Sequence, residues 1–200
     1  MNVGFSLAIP FTILGLALSA CSPGGQQTPV DPPLAGARIG VPFALTDGKG
    51  RTVRDTDFAG KYRIVYFGYT YCPDVCPTDS QHIGAALRLL EQRDPALAAR
   101  IVPIFISVDP ARDTPQVVGK FVAAFHPRMV GLTGSAAAIA AVAKGYGVFF
   151  QAEPAAPGGG YMVTHSPSGY LMDPAGKPLA LLPVEKTPEE IATEIERWTQ

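Results

Sequence analysis

An α/β fold, with a mixed central sheet flanked by helices and an added β-hairpin, is predicted by three observations. Two β-branched and aromatic runs, 62–68 and 101–108, are each followed by apolar residues at helical spacing. A third strand-and-helix unit follows, with strand-like residues over 129–133 and an Ala-rich, helix-favouring stretch over 135–146. Two thiols, Cys72 and Cys76, stand where the first run meets its helix. Strands alternating with helices build a sheet with helices packed on it, and a cysteine pair at that junction matches a thioredoxin-like fold. The usual pair there is C-x-x-C; this one has one residue more.

The elements can be justified in order. Phe43-Ala44-Leu45 and Arg51-Thr52-Val53 flank the turn residues Asp47-Gly48-Lys49-Gly50, predicting a hairpin. After the cysteines, Ile83, Ala86, Leu87 and Leu90 predict a helix capped by Thr78 or Asp79 and ending near Arg93, before Asp94-Pro95. Pro103 places itself near the beginning of the second strand, because it cannot donate to a ladder. Thr114-Pro115 has the form of a helix cap followed by an N1 proline, with Val117, Val118, Phe121, Val122 and Phe125 on one face. Val148-Phe149-Phe150 and Tyr161-Met162-Val163 read as strands around the loop 152–160. Residues 169–172 and 179–182 bracket Asp173-Pro174-Ala175-Gly176-Lys177, a second hairpin. Thr187-Pro188-Glu189-Glu190 is a capping box opening a last helix with Ile191, Ile195 and Trp198 in line.

The 200 residues, 47% of them hydrophobic, suit one compact domain with a short appendage. Sixteen basic and seventeen acidic residues leave a formal charge of −1, which argues against nucleic acid as a partner. The first thirty residues hold no Asp, Glu, Lys or Arg, and Val3 to Ala20 is mainly apolar. This predicts an export signal or a membrane anchor. Leu18-Ser19-Ala20-Cys21 resembles the lipobox of bacterial lipoproteins, which would make Cys21 the lipidated first residue of the mature chain. The alternative is a retained helix, since about 18 apolar residues just span a bilayer. The predicted organisation is a signal or anchor over 1–21, a Pro/Gly-rich tether over 22–37 and the folded domain over 38–200. Either form of the N-terminus puts the domain outside the cytoplasmic membrane, where disulfides persist.

Cys72 and Cys76 are one helical turn apart, close enough to bridge or to share a metal. A disulfide closing so small a loop stabilises little, and a thiol at a helix N-terminus is expected to have a lowered pKa and to be reactive. Of the three histidines, His82 and His126 are expected on the surface, while His165 follows a strand and opens the loop Ser166-Pro167-Ser168-Gly169. Spacing alone does not assign it a role.

Three ordered segments resemble the Sco/SenC family: 67–78 around the cysteines, Ser107-Val108-Asp109-Pro110-Ala111-Arg112-Asp113-Thr114-Pro115, and His165 with the 170–176 stretch that follows it. The likeness spans about Ile39 to Trp198. Members of that family are membrane-tethered, thioredoxin-like copper chaperones for cytochrome c oxidase. Carried over by position, the resemblance makes Cys72, Cys76 and His165 the copper ligands. Family members commonly have an acidic residue before the histidine, where this chain has Thr164, and Gly158-Gly159-Gly160 lies close upstream. The segment from Asp109 to Pro115 reads chiefly as a turn and helix start whose Asp and Thr cap backbone N–H groups, or else as a charged loop that tunes the thiols or meets a partner. Asp74, between the cysteines, is equally open.

Two thiolates and an imidazole form a soft, three-coordinate set suited to Cu(I), with Cu(II) a further possibility, and leave one side open for a recipient. The resemblance implies the copper-bearing subunit of cytochrome c oxidase as recipient, with a copper donor and a periplasmic thiol reductant as further partners, at the periplasmic face of a bacterial membrane. The competing readings are a thiol–disulfide oxidoreductase, in which the dithiol reduces a recipient's disulfide through a mixed disulfide, and a redox or copper sensor; a thiol peroxidase is a weaker fourth. For the N-terminus, mass spectrometry of the mature protein is expected to find a lipid-modified Cys21 as its first residue. A chain starting at Met1, or at an unmodified residue beyond another cleavage site, would favour the anchor or ordinary secretion.

Overall fold

The structure, a computed structural model, describes residues 1–4, 30–154 and 160–199. The chain divides into two units, Met1–Val30 and Asp31–Gln200. Residues 5–21 of the expected signal or anchor, Cys21 among them, and the first half of the expected tether, 22–29, lie outside the described residues, as do 155–159 of the loop between the two strand-like runs. Among the described residues no helix is long and apolar enough to cross a membrane. Within the second unit, residues 32–37 form turns, and the Leu34 N–H donates to the Leu179 carbonyl at 3.0 Å.

A seven-stranded mixed sheet runs through the unit. Its strands are β1 (Ala44–Asp47), β2 (Thr52–Arg54), β3 (Tyr62–Gly68), β4 (Ile101–Ser107), β5 (Val130–Thr133), β8 (Gly169–Met172) and β9 (Pro178–Leu182), in the order β2-β1-β5-β4-β3-β8-β9. β3, β4 and β5 pair in parallel; the outer neighbours on both sides pair antiparallel. β3 is buried along its whole length, as its unbroken apolar run requires of a central parallel strand. Pro103 is the third residue of β4, opposite Ile64. A separate two-stranded ribbon is made of β6 (Phe150–Ala152) and β7 (Val163–His165). Both strands begin two residues later than expected, so His165 ends a strand rather than opening a loop.

The helices are α1 (Val75–Arg93), α2 (Pro95–Ala99), α3 (Pro115–Ala123), α4 (Ala136–Gly145) and α5 (Pro188–Trp198). Thr114, Ser135 and Thr187 cap α3, α4 and α5 with their hydroxyls, and the Thr187–Glu190 capping box is complete. Two expectations fail. α1 begins at Val75, so Thr78 and Asp79 lie inside it and cap nothing; Pro77 fits because the first helical turn needs no N–H there. α2 was not expected, although Asp94-Pro95 carries the same cap-and-proline chemistry as Thr114-Pro115, and the Asp94 side chain accepts from the Leu97 N–H.

His126 was expected on the surface but is 2% exposed. Its Nδ1 accepts from the Arg128 N–H at 3.2 Å, its Nε2 stands 3.5 Å from Glu91, and burial holds its pKa down. His82 is half-buried, with Nδ1 3.2 Å from the Val184 carbonyl.

The β1–β2 turn meets α3 backbone to backbone. A Cβ on Gly48 would stand 2.5 Å from Gly119 Cα, and one on Gly119 would stand 2.9 Å from Gly48 Cα. Gly119→Ala is therefore expected to lower stability by about 1–3 kcal/mol through overpacking, even though alanine is favoured over glycine inside a helix by about 1 kcal/mol. Urea denaturation measures it; unchanged or increased stability would show that the turn yields.

Candidate metal centre

The C-terminal end of β3 delivers the chain into the segment Tyr69–Asp74, and α1 starts from it one residue later. Cys72 therefore precedes the helix and Cys76 lies in its first turn. Both are free thiols. The Cys76 N–H donates to Cys72 Sγ at 3.4 Å, so the free donors of the helix start serve the first sulfur. The second sulfur is wholly buried. Burial pushes the Cys76 thiol well above its ordinary range, against the lowered value expected from its place at the helix start. Desolvation outweighs the helix terminus because no solvent reaches this sulfur.

His165 arrives from the far end of β7. Its Nε2 lies 3.3 Å from Cys76 Sγ across a separation of 89 residues. Its Nδ1 lies 3.1 Å from the Ser166 carbonyl, which can only accept, so Nδ1 carries the ring proton and Nε2 turns its lone pair toward Cys76. Burial keeps the imidazole pKa below its ordinary value, favouring the neutral ring that a metal needs. The three sequence-predicted residues are thus brought to one place, with Cys76 linked to Cys72 through its backbone N–H and to His165 through its sulfur. Among the described residues, no three His, Cys, Asp or Glu side chains form an open, ready-made metal cluster. A metal held here would take the place of the proton between Cys76 and His165. The donor set of two sulfurs and one imidazole nitrogen fits a soft ion and is one ligand short of a structural zinc site.

Thr164 points elsewhere: its hydroxyl donates to Glu153 across the ribbon at 2.8 Å. What fixes the histidine strand is a knot that the sequence did not disclose. Arg112 Nε donates to Asp109 Oδ2 at 2.5 Å, Arg112 Nη1 donates to the Tyr161 carbonyl at 2.8 Å, and the Tyr161 hydroxyl donates to Asp109 Oδ1 at 2.6 Å. The guanidinium lies 3.7 Å from the Tyr161 ring centre and 4.9 Å from that of Tyr71. Tyr69 stands edge-on to the His165 ring at 6.0 Å, and its hydroxyl donates to Met162 Sδ at 3.8 Å. Asp113, fully buried, accepts from the Thr70 N–H, the Thr70 hydroxyl and the Ser107 hydroxyl. Thr114 does cap α3 as read; Asp109 and Asp113 instead tie the β4–α3 loop to the cysteine and histidine segments. Asp74 is exposed and makes no side-chain cap.

Behind the cysteines, the Tyr66 hydroxyl donates to Asp79 at 2.8 Å, and burial raises the pKa of both groups. Around the site, Tyr71, Val75, Phe149 and Met162 are large apolar side chains left about half exposed.

Comparison with known proteins places this arrangement in context. The sequence model of the SCO1/SenC family matches residues 31–200. Protein SenC of Rhodobacter capsulatus is 43% identical over 165 residues, covering 80% of this chain and 71% of SenC. The chain spans 60% of the length of two further relatives, from cattle and fission yeast. The structure of Bradyrhizobium japonicum ScoI with copper bound superposes with a TM-score of 0.72 at 40% identity, covering 80% of this chain and 99% of that one. The structure of BsSco, described through a disulfide switch and as a member of the Sco family of cytochrome c oxidase assembly proteins, gives 0.62 at 28% identity, covering 84% and 96%. These likenesses establish the fold as thioredoxin-like, and the chain belongs to the SCO1/SenC family.

Proposed function

We propose that this protein is a copper chaperone that holds copper through Cys72, Cys76 and His165 and delivers it to the copper centre of cytochrome c oxidase. The observation that carries the reading is the approach of His165 Nε2, lone pair inward, to the buried Cys76 sulfur one helical turn from Cys72. A soft N/S₂ set matches Cu(I). The copper-bound ScoI relative and the oxidase-assembly description of BsSco support the cargo and the client.

Each residue has a definable task. Cys72 and Cys76 supply thiolates, each giving up its thiol proton to solvent as copper enters. His165 supplies a neutral nitrogen from an independent strand. Arg112, Asp109 and Tyr161 position that strand. The half-exposed rim of Tyr71, Val75, Phe149 and Met162 offers an apolar landing surface around the open side, where a recipient's ligand can bind copper before one of the donor's ligands leaves. Lipidation at Cys21 would hold the domain at the periplasmic face of the membrane, where a thiol reductant and a copper donor must keep it reduced and loaded.

A second reading is favoured by the two free, adjacent thiols: the pair reduces a disulfide on the recipient, Cys72 attacking through a mixed disulfide and Cys76 resolving it. The recipient gains two electrons and two protons, and the protein is left with a Cys72–Cys76 disulfide.

Copper titration of the reduced full-length protein is expected to give one copper per chain with sulfur and nitrogen donors by X-ray absorption. Loss of that binding is expected in the Cys72→Ala, Cys76→Ala double variant; full-strength binding there would refute the site. His165→Ala separates the two readings. It is expected to weaken copper retention and oxidase maturation far more than reduction of a generic disulfide, since the dithiol's electrons come from the two sulfurs and the imidazole supplies a metal ligand. If copper binding and oxidase activity in cells stay unchanged while reductase activity collapses in the folded variant, the oxidoreductase reading takes over.

A further inference from the structure

Arg63 is the second residue of β3, paired with Val102 of β4 on one side and Met172 of β8 on the other. A charged residue in the central strand of the sheet is unexpected, and this one is only 7% exposed. Among the described residues it forms no ion pair, and its Nε is enclosed without a hydrogen-bond partner. Removing a guanidinium from water without a counter-charge is costly, and such groups are ordinarily paired.

The guanidinium faces a cavity of about 300 Å³ lined also by Gly40, Pro42, Asp55, Tyr146 and Gly176. That volume is at the small end of the range for small-molecule sites. Gly176 permits the geometry: its φ is +83°, and a Cβ there would stand 2.5 Å from Arg63 Nη1. The cavity lies at the start of β3, whereas Cys72 follows its end, so about 20 Å of strand separates it from the metal centre.

The cavity's chemistry specifies its occupant. A guanidinium takes a planar carboxylate or a phosphate through paired N–H donors. Tyr146, 3% exposed, keeps its proton at neutral pH because burial pushes its phenol up to about 12, and so it offers a further donor. Asp55 is the acidic group on the wall. Its Oδ1 accepts from the Phe43 N–H at 3.2 Å, and its charge opposes a second negative charge on any ligand. Val41, Pro42 and Ala59 supply apolar surface for a short alkyl body. We infer that this cavity binds a small organic monocarboxylate, with its carboxylate on Arg63 and the Tyr146 hydroxyl and its apolar end against the proline wall.

The test uses the full-length protein with sodium butyrate as probe, against sodium chloride of equal ionic strength and inorganic phosphate. Butyrate is expected to raise the unfolding temperature in step with the logarithm of its concentration above saturation. It is also expected to shift the backbone amide resonances of Gly40, Thr56 and Gly176 and the guanidinium resonances of Arg63. Arg63→Met is expected to abolish both effects while leaving copper titration unchanged, which separates failure here from failure of the copper site. No butyrate-specific change, a change that survives in Arg63→Met, or shifts confined to other residues would overturn the inference. Equal stabilisation by phosphate through the same amides would overturn the monocarboxylate assignment. If Arg63→Met does not fold, the wild-type guanidinium resonances decide alone: unmoved by butyrate, they refute the site.

Discussion

Arg112 is the side chain on which the geometry of the metal centre rests. It joins the β4–α3 loop, through Asp109, to the segment that enters β7, through the Tyr161 carbonyl and ring, and it lies over the Tyr71 ring beside the cysteines. Three stretches far apart in sequence are fastened at one guanidinium. Charge-assisted hydrogen bonds contribute about 1.5–3 kcal/mol each and cation–π contacts about 0.5–2 kcal/mol, with the lower values applying where solvent reaches the group. Arg112 keeps a fifth of its side chain exposed, so the knot is secure without being rigid. Lysine could not replace it, because one ammonium cannot hold a carboxylate and a carbonyl in one plane while stacking on a ring.

The two thiols have unequal surroundings. Cys72 receives an N–H from the first turn of α1, whereas Cys76 is sealed from solvent and donates a hydrogen bond to an imidazole while keeping its proton. On the copper reading, loading would release the protons of both thiols, and the metal's positive charge would stand where the Cys76 proton stood, in a site that cannot tolerate a bare anion. The Tyr66–Asp79 pair behind Cys76, itself buried and protonated on the phenol, adds no free cation that would stabilise a thiolate in the metal's absence.

Much of this was legible in the sequence, for local reasons. β3 was bounded correctly because a buried parallel strand must be an unbroken apolar run, α3 and α5 were bounded at their starts because hydroxyl caps are local chemistry, and α4 was placed by its alanine-rich composition. The start of α1 was placed too late, since Thr78 and Asp79 are cap-forming residue types whether they precede a helix or lie inside it. β6 and β7 were placed two residues early because their partners are each other, not the main sheet, and pairing is not written in either segment alone. The cysteines stood out by their place at a strand-to-helix junction, whereas the copper-ligand roles expected of them and of His165 came only with the family resemblance; spacing alone assigned His165 no role. Arg112 was quoted as part of a motif without its task, because its partner Tyr161 lies 49 residues away. Arg63 was hidden by its setting, a single basic residue inside a strand that reads as core.

The β6–β7 ribbon has only three residue pairs and no strand partner in the main sheet. An isolated two-stranded ribbon is marginally stable, so its opening is governed by a few side-chain contacts and not by the global stability of the domain. The two halves of the metal centre therefore belong to different cooperative units. Cys72 and Cys76 are rooted where the sheet meets its longest helix, while His165 rides on a ribbon held by its own three pairs and by the contacts between Arg112 and Tyr161. On the copper reading, release of the metal would begin as a local melting of this ribbon, at a rate set by how often its three residue pairs and the Arg112 contacts let go together.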